Sequence, residues 1–179
     1  MRRRWVAVSL MIVLVGAVGL FAGASAAAVA EAEALAAAHA FQDASYVGHK
    51  DGCRKCHLKE HRSWSRTPHA KALDLLEGDD ASNPECLECH TTGYGEASGF
   101  TSDDDTPELA GVTCESCHGA GSGYRDKDVM EDHDASVAAG LLMPDEATCL
   151  GCHNDRSPTF SGEFDFESRK EEGIHDIKR

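Results

Sequence analysis

All eight cysteines of this chain fall in four copies of one pentapeptide: Cys53–His57, Cys86–His90, Cys114–His118 and Cys149–His153. Each copy reads C-x-x-C-H, two thiols three residues apart with an imidazole directly behind. That spacing is the attachment signature of c-type haem. The pairs Cys53 and Cys56, Cys86 and Cys89, Cys114 and Cys117, and Cys149 and Cys152 would add covalently to haem vinyl groups. His57, His90, His118 and His153 would ligate iron from the proximal side. Four disulfides in an exported chain, or paired C-x-x-C zinc sites, would use the same cysteines. Neither alternative asks for histidine after every second cysteine, so four covalently bound haem c groups are the expectation.

Six further histidines are candidates for the distal side of the irons: His39, His49, His61, His69, His133 and His175. A neutral imidazole is a good sixth ligand and gives a lower potential than methionine. Outside the apolar N-terminal segment only Met130 and Met143 could supply a thioether. His69 ranks first, because Thr67-Pro68 reads as a helix start and places His69 on one face with Leu73 and Leu76. His133 and His175 follow, then His61 and His49. His39, in a stretch without an apolar stripe, ranks last.

The elements that must position these groups are short. The stretch 59–64 reads as a helix behind the first motif, and a second helix is expected from Thr67 to a stop at Gly78. The segment 91–111 is Gly-rich, carries Asp103-Asp104-Asp105, and reads as a long surface loop with a short hairpin around Phe100. Gly119–Gly123 lacks the preceding strand and following lysine of a phosphate loop, so its glycines are expected to pass close to a flat ring. Helices are further expected over 126–139, ending at Gly140, from the Asp145 cap into the fourth motif, and from about Asp165 to present His175. The fold class is mostly α with long loops and little β, a small multihaem cytochrome c fold organised around four packed haems. Large apolar side chains are few, so the porphyrins must supply much of the buried surface.

The first 26 residues read as a secretory signal: Arg2–Arg4, an apolar core, and Ala24-Ser25-Ala26 before the cut. The alternative is an uncleaved anchor, since the run from Trp5 to Ala30 could span a bilayer. Residues 27–45 read as a flexible tether and 46–179 as the cytochrome domain. Either reading puts the chain outside the cytoplasm, in the periplasm. Cleavage removes three of the 17 basic residues and none of the 31 acidic ones, leaving a formal charge of −17. That balance excludes nucleic acid, whose phosphates demand a basic surface. It favours redox partners, donor and acceptor, with a basic docking surface. A membrane enters only if the N-terminal segment is kept.

The residues between the motifs carry a resemblance. Cys53–His57 followed by Ser63–Ala72, Cys86–His90 followed by Thr92-Gly93-Tyr94-Gly95, and above all Leu109–Gly119 resemble the tetrahaem cytochrome c-554 family. The resemblance implies an electron carrier of nitrogen oxidation that accepts electrons from hydroxylamine oxidoreductase. It implies haems stacked in close pairs. It also implies distal pairings of His133 with the iron of His57, His69 with that of His118, and His175 with that of His153. The iron of His90 would be left five-coordinate, a position that His61 or His49 could close.

Electron relay without chemistry of its own is the leading function, since no nucleophile–base pair or acid pair stands out. The alternatives are a reductase of nitric oxide, nitrite or peroxide at the haem of His90, and a subunit of a multihaem complex or filament.

Overall fold

The computed structural model describes residues 44–176. The signal or anchor at 1–26, and the tether from 27 to 43 with His39, lie outside the described residues. Seven short α-helices among the described residues carry the fold: α1 Leu58–Trp64, α2 Pro84–His90, α3 Cys114–His118, α4 Lys127–Met130, α5 His133–Ala138, α6 Glu146–Leu150 and α7 Phe166–Gly173. A π-turn over His49–Cys53 and several 3-10 turns link them. The only β contact among the described residues is an isolated antiparallel bridge, Thr91 to Ala110. The expected mostly helical class is therefore the observed one. None of these helices is long and apolar enough to cross a membrane.

Local chemistry explains where the helices start. Asn83 accepts a hydrogen bond from the Glu85 N–H and Pro84 follows at the first helical position, so α2 is capped and preset. Asp145 and Thr148 form a capping box on α6. Asp165 caps α7, whose exposed surface is held by the Glu167–Lys170 pair and by Lys170 over the Phe166 ring at 5.2 Å.

Three expectations are corrected. The helix expected from Thr67 to Gly78 is two 3-10 turns, His69–Lys71 and Leu73–Leu75. Thr67 does not cap it; its hydroxyl donates back to the Trp64 carbonyl at 2.8 Å and closes α1 instead. The helix expected over 126–139 breaks into α4 and α5, because Asp132 leaves helical geometry and caps α5 through the Ala135 N–H. The loop over 91–111 is not merely surface. Leu109 is 2% exposed and Phe100 5%, and with Leu87 they form the apolar core cluster, with Tyr46, Leu73, Leu76, Tyr94 and Ala110 packed around it.

That loop folds inward because its polar backbone is satisfied there. Thr92, fully buried, exchanges hydrogen bonds with Gly111, Thr113 and Ser116. Gly93 has φ of 70°, and a Cβ on it would stand 2.4 Å from the Tyr46 ring, so both the turn and the packing require glycine.

Candidate functional site

Each C-x-x-C-H motif is built on a single helical turn. The His57 N–H donates to the Cys53 carbonyl and the His153 N–H to that of Cys149, both at 2.9 Å. In α2 and α3 the second and third motifs lie inside the helix itself. Residues three and four apart share one helix face, so each motif presents two thiols and one imidazole to the same side. None of the eight cysteines is in a disulfide. Among the described residues no three histidine, cysteine or carboxylate side chains converge as a zinc site requires.

The motifs influence one another. Cys114 and then burial push the Cys53 thiol up, while Cys53 draws Cys114 down against the effect of its burial. Cys117 is pushed up to about 11 by burial and then by the charge of Cys149. Cys152 is pushed up to about 12 by burial and then by Cys89. Arg156 bonds Glu88 at 3.0 Å and ties the fourth motif to the helix of the second. The first and third motifs thus lie together, lining one cavity, and the fourth lies with the second.

Two cavities open on these faces. One of about 470 Å³ is lined by Cys53, Cys56, His57, Cys114 and His118, with Tyr124, Met130, Met143 and His175 among its walls. The other, of about 310 Å³, is lined by Cys149, His153 and His69, with Phe160 and Phe164. Walls of thiol, aromatic and aliphatic carbon with a few convergent imidazoles fit a flat apolar ring anchored by two sulfurs.

His118 and His69, which face these cavities, and His90, which lines neither, are oriented from behind. The His90 Nδ1 contacts the Ala72 carbonyl at 2.6 Å, His118 Nδ1 that of Leu142 at 3.0 Å, and His69 Nδ1 that of Gly173 at 2.7 Å. A carbonyl accepting from Nδ1 fixes the proton there and leaves the Nε2 lone pair for a metal. Burial lowers His118 and His153 below the ordinary imidazole range, which keeps that lone pair free at neutral pH. The Phe164 ring stacks on His153 at 5.0 Å and fixes its plane.

The structure brings two distal candidates onto proximal rings. His69 stands 5.9 Å from His153, centroid to centroid, and His175 stands 6.2 Å from His118. These partners are exchanged relative to the pairing that the resemblance implied. The reason is the C-terminal strap: it crosses behind α1, where the Asp176 N–H bonds the Ser63 hydroxyl at 2.7 Å, and so delivers His175 to the third motif. His133 is exposed and contacts Asp134 at 3.3 Å, with no ring partner. His49 and His61 pair with each other, Nδ1 to Nε2 at 2.8 Å, and pack on Trp64. Among the described residues no second imidazole stacks on His57 or His90.

Sequence reasoning passed over Glu115, between the cysteines of the third motif. It is 2% exposed, and its carboxylate accepts from the N–H groups of Val47, Gly48 and Gly121. The glycines after the third motif thus bring backbone onto this carboxylate, while Gly121 also lines the larger cavity. A charged residue flanked by Thr113 and the motif cysteines was the available signal.

Comparison with known proteins agrees with this geometry. The family described as cytochrome c554 and c-prime matches residues 52–119, from the first motif through the third. The solved structure of reduced cytochrome c554 from Nitrosomonas europaea superposes with a TM-score of 0.60 at 26% identity, covering 75% of this chain and 86% of that one. From the first motif through the third, the chain is similar to the cytochrome c-554 family. The curated cytochrome c-554 of the same organism is 35% identical over 46% of this chain. The match covers 42% of that relative, less than half its length. Cytochromes c-554 are tetrahaem c-type cytochromes with covalently bound haem iron, and this chain has four motifs to hold the groups.

Proposed function

We propose that this protein is an exported electron carrier whose four haems form a relay in the order of the first, third, fourth and second motifs. The observation that supports this reading is the grouping of the motifs: Cys53, Cys56, Cys114 and His118 line one cavity together, and Arg156 behind the fourth motif bonds Glu88 within the second. When bound, the haem irons supply one-electron exchange between the ferric and ferrous states.

The chain's residues supply the rest. Each motif's two cysteines would hold one ring, with His57, His90, His118 and His153 as proximal ligands. His175 would complete the iron of His118, and His69 that of His153. With metal–imidazole bonds of about 2 Å and about 1.1 Å from nitrogen to ring centre, two rings sandwiching one metal stand about 6.2 Å apart. The observed 6.2 and 5.9 Å support that arrangement. His133, on α5 beside the larger cavity's Met130 and Glu131, is the ligand proposed for the iron of His57.

The sixth position at His90 is read as open, since His49 and His61 satisfy each other against Trp64. An open iron also supports a second reading, reduction of a small nitrogen oxide there. The donor proposed is a hydroxylamine-oxidoreductase-like protein, and the acidic surface suits a basic docking face on it.

Coulometric reduction tests the relay. Four electrons per chain, passed on to an added haem acceptor, are expected. Fewer than four, or uptake without onward transfer, contradicts it. Turnover of nitric oxide or nitrite by the reduced protein decides for the second reading.

A further inference from the structure

Among the buried residues described, Glu115 is the only carboxylate. It sits in the turn that carries Cys114 and Cys117, and none of the ion pairs among the described residues includes it. Both of its oxygens act only as acceptors. Oε1 takes the N–H groups of Gly121 at 2.6 Å and Val47 at 3.0 Å, and Oε2 takes those of Gly48 at 2.8 Å and Val47 at 3.2 Å. That is the hydrogen bonding of a carboxylate, not of a carboxylic acid, which would have to donate once.

Backbone dipoles therefore hold a full negative charge in place without cancelling it with a cation. Glu115 stands next to Cys114 in the chain, and its field reaches both adjoining motifs: it adds to the raising of Cys53, behind Cys114 and burial, and opposes the net lowering of Cys114. It also raises Tyr124, which lies in the wall of the same cavity, after burial itself. On the side of the second and fourth motifs no carboxylate among the described residues is buried in this way, and Arg156 there is exposed and paired with Glu88.

A charge buried beside a redox centre acts through low dielectric, where its influence on a nearby charge change is several times that in water. Reduction adds one electron, taken from the redox donor, to an iron and removes one unit of positive charge. A fixed negative charge beside the iron opposes that change.

We propose that Glu115 is a potential-setting residue: its buried carboxylate favours the oxidised state of the haems on Cys114–His118 and Cys53–His57. The relay then runs downhill from that pair toward the haems of the fourth and second motifs. The proposal rests on haem loading of the motifs, as the function reading does. Mass spectrometry separates the two failures, because a chain lacking its four haems fails the function reading before any potential is measured.

The test is a redox titration of the full holoprotein, followed by optical and paramagnetic resonance spectra so that each haem is resolved. In Glu115→Gln the haem of Cys114–His118 is expected to rise by about 59 mV, a tenfold gain in its reduction constant. The haem of Cys53–His57 should move the same way and that of Cys149–His153 should stay. Glu115→Asp keeps the charge and should hold the wild-type values. A Glu115→Gln protein with four haems and unchanged potentials overturns the proposal, as does an equal rise in Glu115→Asp, which would mark a packing effect. If Glu115→Gln does not load haem, the wild type decides. The haem of His118 should then reduce at lower potential than that of His153, which has the same proposed ligation, and an equal or reversed order overturns the idea.

Discussion

Replacing His69 with alanine separates the pairing that the rings adopt from the one that family resemblance implied. His69 stands 5.9 Å from His153, near the separation of two imidazoles on one metal, while His175 takes the corresponding place at His118. Its Nδ1 is held by the Gly173 carbonyl at 2.7 Å. Loss of such an outer hydrogen bond alone costs about 10–100-fold in metal affinity, and loss of the ring removes the ligand altogether. His69→Ala should therefore convert one low-spin iron to high-spin and create one new carbon monoxide site when reduced. The site is located by paramagnetic NMR with labelled aromatic residues. Phe164 stacks on His153 at 5.0 Å, and Tyr124 donates its hydroxyl to the His118 carbonyl at 3.1 Å. His69→Ala should shift and broaden Phe164 and spare Tyr124, and His175→Ala should do the reverse. Tyr124 responding to His69→Ala, or no new high-spin iron, would refute the reasoning.

Leu109→Ala, at a 2% exposed position in the apolar cluster, should destabilise the holoprotein by about 2–5 kcal/mol in denaturant titration. Burial, then the neighbouring His61, lowers His49 to about 4, so its folded pKa lies below the unfolded 6.5. The unfolded chain binds the extra proton between those values, so stability is full above 6.5 and falls as pH drops toward 4. His49→Phe should flatten that part of the stability–pH curve. Reduction by a basic redox partner should slow steeply as salt rises, and a salt-insensitive rate would reduce the acidic surface to a solubility device.

What could be read from the chain was what repeats or what punctuates. Four C-x-x-C-H motifs name the cofactor by spacing alone, and Asp145 and Asp165 mark helix starts because capping is a local event. The rest depended on distant contacts. Thr67 had the look of a cap, yet its hydroxyl finds the Trp64 carbonyl three residues behind. Phe100 and Leu109 sit in a Gly-rich, acidic segment that reads as surface, and the hydrogen bonds of Thr92 to Leu109, Phe100, Gly111 and Thr113 fold it inward. The partners of His69 and His175 are set by a strap held at Ser63, 113 residues away in sequence from Asp176. Local pattern carries no trace of that contact. Glu115 escaped notice because its partners are backbone N–H groups, which leave no mark in side-chain sequence.

The intact mass of the exported protein, with digestion to assign each thiol, bears most directly on the central claim that the four motifs carry four covalent haems. The account predicts one haem on each of Cys53–Cys56, Cys86–Cys89, Cys114–Cys117 and Cys149–Cys152. Disulfides, bound zinc or free thiols on any of these pairs would contradict it.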